Sequence, residues 1–247
     1  MLRITGLNKS FDGFQAVADA SLDIEKGEVV AVIGPNGAGK TTLFNLITGQ
    51  LTPDSGEIWF REENITGLPA HVISRKGIGR SFQIVNVFDR LTVFENVQIA
   101  VLARRGNTLN LFRPARSMAV KETGDVLANV GLSEKRTMTS GMLSHGDRKV
   151  LEIAIALGSR PELLILDEPT AGMSPDETAA TLDLMTRLSG DLGLTILFCE
   201  HDMGLVFSIA NRITVMNHGA TIIQGLPEDV RRNRQVQKAY LGGDVPC

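Results

Sequence analysis

The chain has 247 residues, 43% of them hydrophobic, and a formal net charge of −3. That is enough for one large core, or for one core with a lobe attached. The acidic balance excludes a protein built mainly to coat nucleic acid, because such binding needs an excess of Lys and Arg. The first residues lack the apolar segment of a secretory signal, and no run approaches the roughly 18 apolar residues of a spanning helix. We therefore expect a cytosolic chain, or one held at a membrane by a partner.

Short apolar runs alternate with amphipathic segments along the chain, which is typical of an α/β fold. Residues 2–7 and 16–24 alternate apolar and polar side chains and predict an antiparallel edge region near the N-terminus. The remaining predicted strands, mostly continuous apolar runs, are 28–33, 57–60, 163–167, 194–199, 212–216 and 220–224. The predicted helices outside the middle of the chain are 42–48, 175–189 and 202–209. Cys199, at the end of one apolar strand, is expected to be a small core residue.

The middle and the end of the chain have a different sequence pattern from the predicted α/β part. From about Leu91 to Ser159 the pattern is mainly helical, interrupted by loop formers and arginines at 104–117. This predicts a helical lobe, at approximately 88–160, inserted into a single domain that spans 1–247. After the last strand, a charged helical tail is predicted over approximately 225–247.

Residues 34–41 read Gly-Pro-Asn-Gly-Ala-Gly-Lys-Thr, a complete GxxxxGK[ST] phosphate loop. Glycines let consecutive backbone N–H groups turn inward around phosphates at a helix N-terminus. A glycine-rich turn that binds nothing is the alternative, but the apolar strand before the loop and the helix after it favour a nucleotide triphosphatase. Lys40 can reach the β- and γ-phosphates, and Thr41 can hold Mg²⁺. The predicted ATP-binding residues of the loop are Gly34, Asn36, Gly37, Gly39, Lys40, Thr41 and Thr42.

A second glycine motif, Leu143-Ser144-His145-Gly146-Asp147, precedes a helix and lies shortly before an apolar strand that ends in Asp167 and Glu168. With the phosphate loop, it resembles the ATP-binding subunits of ABC transporters, whose signature is usually written LSGGQ. His145 and Asp147 depart from that pattern, whereas Ser144 and Gly146 keep it. Taken alone, the motif could be an ordinary N-capped helix. The resemblance implies that Ser144 and Gly146 bind the ATP of a second ATPase subunit, in a homodimer or a related heterodimer.

The resemblance assigns further roles to single positions. It implies that Glu168 is the general base and that His201 contacts the γ-phosphate, so that the catalytic set is Lys40, Glu168 and His201. It implies that Thr41, Gln83 and Asp167 order Mg²⁺. Phe11 stands where an aromatic ring stacks on adenine, although it could also be a core residue.

One further position departs from the family. Ser174 stands in the loop after Glu168, where an aspartate is usual. A serine can hydrogen-bond across a dimer but cannot form a charged contact. We therefore expect communication between two ATP sites to differ at this loop.

Nearly the whole chain resembles the larger ATPase subunit of branched-chain amino acid importers. The resemblance implies ATP and Mg²⁺ as cofactors and transmembrane permease subunits as partners, with a periplasmic or extracellular binding protein acting indirectly. It places the chain at the cytoplasmic face of the membrane. The alternatives are an ATPase for urea or short-chain amide uptake, a lipopolysaccharide exporter ATPase, or a soluble ABC ATPase. A kinase or GTPase is disfavoured because we find no guanine-reading N-K-x-D motif.

Overall fold

The computed structural model describes residues 1–81, 87–105 and 117–240, with the side chains of 238–240 excepted. The strands within these ranges are β1 Leu2–Phe11, β2 Phe14–Ile24, β3 Val29–Ile33, β4 Ser55–Phe60, β5 Glu63–Asn64, β6 Ile78–Arg80, β7 Leu163–Asp167, β8 Thr195–Cys199, β9 Arg212–Asn217 and β10 Ala220–Gly225. The helices are α1 Lys40–Ile47, α2 Ala70–Arg75, α3 Val93–Arg104, α4 Val120–Asn129, α5 His145–Gly158, α6 Pro175–Gly190, α7 Met203–Ile209, α8 Pro227–Arg232 and α9 Arg234–Tyr240. The α/β class predicted from the sequence is confirmed.

The larger sheet has six strands in the order β10-β9-β3-β8-β7-β6. All neighbours in it are parallel except β9 and β10. Every residue of β3, β7 and β8 is buried, as expected for central parallel strands covered on both faces. Because these three strands are adjacent and parallel, their carboxyl ends lie together at one edge of the sheet.

The smaller sheet is antiparallel, in the order β2-β1-β4-β5. It confirms the antiparallel region predicted near the N-terminus, with strands that extend further than predicted. It joins the larger sheet through β2 and β10, where the Asp23 N–H donates to Gln224 Oε1 at 3.0 Å and Gln224 Nε2 donates to the Asp23 carbonyl at 2.7 Å. The sequence did not predict β5, β6 or α2, because segments of two, three and six residues carry too little periodicity.

Between β6 and β7 the described chain contains only helices, namely α3, α4, α5 and two short 3₁₀ turns at Ser133–Lys135 and Ser140–Met142. A capping box fixes the start of α3, since Thr92 accepts from the Glu95 N–H and Glu95 accepts from the Thr92 N–H. Most of the interruption predicted at 104–117 lies outside the described residues. Within the described ranges, no helix is long and apolar enough to cross a membrane.

Candidate nucleotide-binding site

The phosphate loop leaves the carboxyl end of β3 and ends where α1 begins at Lys40. Gly37 and Gly39 have φ angles of +79° and +98°, which side chains with a Cβ rarely adopt. A Cβ on Gly39 would also lie 2.4 Å from the carbonyl oxygen of Ala16. The loop therefore needs glycine at these positions. Its backbone N–H groups lie just before the N-terminus of α1, which is the positive end of that helix dipole.

Lys40 is folded back over its own loop. Its Nζ donates to the carbonyl oxygens of Gly34 at 2.6 Å and of Pro35 at 3.2 Å, and the residue is only 8% exposed. Burial lowers the pKa of the Lys40 ammonium, and the nearby carboxylates of Glu168 and Asp167 oppose that shift. Two backbone carbonyls thus hold the Lys40 ammonium against the phosphate loop.

Asp167 ends β7 and is held from two sides. Arg80 Nη2, at the end of β6, donates to Asp167 Oδ2 at 3.0 Å, and Cys199 Sγ, at the end of β8, donates to Oδ1 at 2.9 Å. Burial raises the pKa of the Cys199 thiol, and the Asp167 charge adds to this shift. Cys199 is a buried core residue as predicted, but it also positions an acid.

Glu168 and His201 form the exposed side of the site. His201 Nε2 lies 2.8 Å from Glu168 Oε1, and both side chains remain accessible to solvent. Glu168 has a φ of +50°, a backbone strain that often accompanies functional positions. The buried carboxylate of Glu200 supports this geometry, since it accepts from the N–H and hydroxyl of Thr170 at 2.8 and 2.7 Å.

The oxygen donors fit Mg²⁺. Thr41 offers a hydroxyl and Asp167 a carboxylate, which are the hard ligands that Mg²⁺ takes together with substrate phosphates. No group of three or more His, Cys, Asp or Glu residues that could hold a metal exists within the described ranges.

Phe11 lies at the tip of the β1–β2 hairpin, where the chain turns through Asp12 and Gly13. Its side chain is 41% exposed, and Lys9 Nζ lies 5.7 Å from its ring centroid. The exposure disfavours the core alternative for Phe11. An accessible ring beside a cation suits stacking on a base.

The second glycine motif begins α5 on an exposed surface. Ser144 is the N-cap, since its Oγ accepts from the Asp147 N–H at 3.1 Å. His145 Nε2 lies 3.0 Å from the carbonyl oxygen of Ala171, in the loop after Glu168, and Asp147 pairs with Lys135. The two departures from the family motif thus make local contacts in this structure and leave Ser144 and Gly146 at the helix start.

Glu177, in the first turn of α6, reaches into this motif. The Ser144 hydroxyl donates to Glu177 Oε1 at 3.3 Å, and a Cβ on Gly146 would lie 2.5 Å from the same oxygen. The backbone N–H of Ser174 is the largest cause that lowers the pKa of the Glu177 carboxyl, and Ser144 and the Gly146 N–H add to it. A negative side chain of the same molecule therefore lies at the N-terminus of α5, where the helix dipole favours negative charge.

The structure brings Lys40, Asp167, Glu168 and His201 together, since β3, β7 and β8 end side by side. Gln83 lies outside the described residues. Sequence reasoning missed Arg80, Glu200 and Glu177. The charged Arg80 next to an apolar segment, and Ser174 followed by Glu177 at capping-box spacing, were the signals available.

This edge of the sheet, with its phosphate loop, paired acids and strand-end histidine, defines an ATP-binding cassette. Residues 17–171 match the family model described as ABC transporter. Because the match covers more than half of the chain, the chain belongs to the ABC transporter family. Residues 221–246 match a second model, described as branched-chain amino acid ATP-binding cassette transporter.

Individual relatives agree with both models. The chain is 41% identical to the high-affinity branched-chain amino acid transport ATP-binding protein LivG of Salmonella typhimurium, over 98% of each chain. It is 42% identical to the corresponding protein BraF of Pseudomonas aeruginosa, again over 98% of each chain. A crystal structure of a nucleotide-free ATP-binding cassette from an ABC transporter superposes with a TM-score of 0.87 at 30% identity, covering 97% of this chain and 98% of that one.

Proposed function

We propose that the chain is the ATP-hydrolysing subunit that powers a membrane importer for branched-chain amino acids or related small polar solutes. The observation that carries the proposal is the convergence of Lys40, Glu168 and His201 at the carboxyl ends of three adjacent parallel strands. Their placement suits phosphoryl transfer to water, in which positioning and electrostatic stabilisation do most of the work.

Each residue has a distinct part in this chemistry. Lys40 compensates the charge of the β- and γ-phosphates, and the loop N–H groups orient them. Glu168 accepts the proton of the attacking water, while the hydrogen bond to His201 fixes the direction in which its carboxylate points. Phe11 stacks on the adenine ring. Thr41, Asp167 and Gln83 would hold Mg²⁺, which when bound would neutralise charge at the phosphates.

The signature residues act on the nucleotide of another subunit. Ser144 and Gly146 form a second anion site at a helix N-terminus, and two ATPase subunits arranged head to tail would place it over the γ-phosphate bound by the partner. The second subunit is either another copy of this chain or a related ATPase. Nucleotide then stabilises the dimer by mass action, because ATP contacts both subunits only in that assembly.

The rest of the proposal concerns organisation and place in the cell. Residues 1–247 form one ABC ATPase domain, with a helical lobe at approximately 88–160 and a tail at approximately 225–247. Transmembrane permease subunits hold this domain at the cytoplasmic face of the membrane, and the binding protein acts only through them. Phe88, whose ring is exposed after the Gln83 segment, is part of the surface that we assign to the permease.

The substrate class is supported by two independent comparisons, the tail model and the names of the relatives. An importer of urea or short-chain amides, a lipopolysaccharide exporter, and a soluble ABC ATPase are the competing functions. None of them is favoured by an observation in the described residues.

Purification of the tagged chain from membranes, followed by reconstitution of the recovered complex in proteoliposomes, tests the proposal. We expect a polytopic membrane protein to co-purify, and labelled leucine to enter or leave the vesicle lumen only with ATP on the side of the ATPase. The same vesicles are then assayed with labelled urea. ATP-driven movement of urea but not leucine, or recovery of the chain without any polytopic membrane protein, would contradict the proposed function.

A further inference from the structure

Arg80 joins three elements around the phosphate site. Its side chain is 6% exposed. Nη2 donates to Asp167 Oδ2 at 3.0 Å, and Nη1 donates to Asn45 Oδ1 at 2.6 Å and to Thr48 Oγ1 at 3.3 Å. Arg80 therefore ties the end of β7 to α1, the helix that begins with Lys40 and Thr41.

The chemistry of this contact requires arginine. A planar guanidinium can donate to a carboxylate with one nitrogen and to a neighbouring amide with the other, at fixed angles. A lysine ammonium would supply the charge but not the two directions. The ring of Phe44, whose centroid lies 6.0 Å from the guanidinium carbon, adds a further contact from α1.

The second donor to Asp167 is weaker. Cys199 Sγ reaches Oδ1 at 2.9 Å, and a thiol is a poor donor in comparison with a guanidinium. The orientation of the Asp167 carboxylate thus depends chiefly on Arg80. An ordinary buried ion pair would explain the contact with Asp167 but not the simultaneous contacts with the helix of the phosphate loop.

We propose that Arg80 is a positioning residue, which fixes the Asp167 carboxylate relative to α1 and thereby sets how strongly Mg²⁺ and nucleotide assist each other's binding. The inference rests on the proposed function, in which Thr41 and Asp167 face the metal. Mutation of a group that hydrogen-bonds to a metal ligand and orients it often lowers metal affinity by about 10- to 100-fold.

The experiment measures the affinity of a fluorescent, non-hydrolysable ATP analogue with Mg²⁺ and with EDTA, in the full chain. The ratio of the two affinities reports the coupling between metal and nucleotide, independently of turnover. We expect Arg80→Lys to bind the analogue in EDTA as the parent does, and to lose about tenfold or more of the Mg²⁺ enhancement. Arg104→Lys is the matched control, because Arg104 also pairs with a buried carboxylate, that of Glu122.

Two further measurements keep the test decisive. Cys199→Ala removes only the second donor to Asp167 and should lower the Mg²⁺ enhancement in the same direction, by less than Arg80→Lys. If Arg80→Lys fails to unfold cooperatively on heating, Asn45→Ala takes its place, because it removes the α1 acceptor of the Arg80 guanidinium and should lower the Mg²⁺ enhancement in the same direction. A parent-like Mg²⁺ enhancement in the folded variants would overturn the role of Arg80, whereas a parent chain that binds no ATP analogue would overturn the proposed function instead.

Discussion

The phosphate loop and the signature motif both lie at helix N-termini, yet their surroundings carry opposite charges. The buried ammonium of Lys40 donates to the carbonyl oxygens of Gly34 and Pro35, which belong to the phosphate loop itself. Ser144 and His145 of the signature motif are exposed, and the carboxylate of Glu177 lies against Ser144 and Gly146. The phosphate loop therefore has a buried positive charge beside it, whereas the signature motif has a negative side chain of its own chain against it.

Under the proposed function, this difference means that a single chain can bind nucleotide at its phosphate loop, while Glu177 stands in the way of a second subunit's nucleotide at the signature motif. A γ-phosphate entering the signature motif must displace Glu177, because two anions cannot share the same donors without repulsion. Loss of the Lys40 cation should therefore weaken nucleotide binding at the phosphate loop. Loss of the Glu177 carboxylate should instead make ATP-dependent dimerisation through the signature motif easier.

The largest effect is expected for the general base at the phosphate-loop site. Glu168→Gln keeps the size of the side chain and its capacity to accept a hydrogen bond from His201, but removes the proton acceptor. We expect ATP hydrolysis to fall by about 10²- to 10⁴-fold while ATP binding is retained. Steady-state phosphate release and analogue binding, measured on the same preparation, check this. Hydrolysis at the parental rate would show that Glu168 is an ordinary strand-end acid and not the general base.

The next effect concerns the cation of the same site. Lys40→Ala removes the charge that faces the phosphates, and we expect hydrolysis to fall by about 10²- to 10³-fold, with weaker nucleotide affinity. Titration of a labelled ATP analogue, together with circular dichroism, measures binding and fold. Lys149→Ala is the control, because Lys149 is an equally buried lysine on α5. Unchanged turnover in Lys40→Ala would contradict the assignment of the phosphate loop.

A smaller effect of opposite sign is expected at the signature motif. Glu177→Gln keeps a residue that can complete the capping box with Ser174, but removes the negative charge beside Ser144. In the Glu168→Gln background, ATP-dependent dimerisation should then occur at a few-fold lower chain concentration. Because the Glu177 pKa is lowered in the folded chain, its carboxylate is ionised at neutral pH, so the gain should fade as the pH falls towards that lowered pKa.

Asp176→Asn supplies the control for the loss of one charge from the first turn of α6 without contact to Ser144. If Glu177→Gln and Asp176→Asn shift dimerisation equally, the change in net charge causes the effect, and the contact between Glu177 and Ser144 does not. If Glu177→Gln weakens dimerisation, Glu177 assists the partner nucleotide instead of competing with it.

The smallest effect is expected at the position where the family usually has aspartate. Ser174 is the N-cap of α6, and aspartate caps a helix about as well as serine. Ser174→Asp should therefore change the free energy of unfolding by less than about 0.5 kcal/mol. Urea denaturation measures this. A larger loss would show that Ser174 has a contact in the fold beyond its capping role.

The sequence predicted those parts of the molecule that are encoded locally. The phosphate loop, the strand that ends in Asp167 and the helix that follows Ser144 all follow from spacing and apolar runs within ten or so residues. Arg80 and Glu200 were missed because their partners, Asp167 and Thr170, lie 87 and 30 positions away and are joined only by the order of strands in the sheet. Glu177 was missed as an occupant of the signature motif, although its spacing to Ser174 indicated a capping box.

The most direct test of the account is the molecular mass of Glu168→Gln by light scattering, with ATP and Mg²⁺, with ADP and Mg²⁺, and without nucleotide, alone and with the related ATPase subunit with which it is recovered from membranes. The account predicts a dimer only with ATP and Mg²⁺, and predicts that Ser144→Arg on this chain abolishes it by filling the signature motif. A chain that stays monomeric in every condition, or a dimer that forms equally with ADP or survives Ser144→Arg, would contradict the shared nucleotide site.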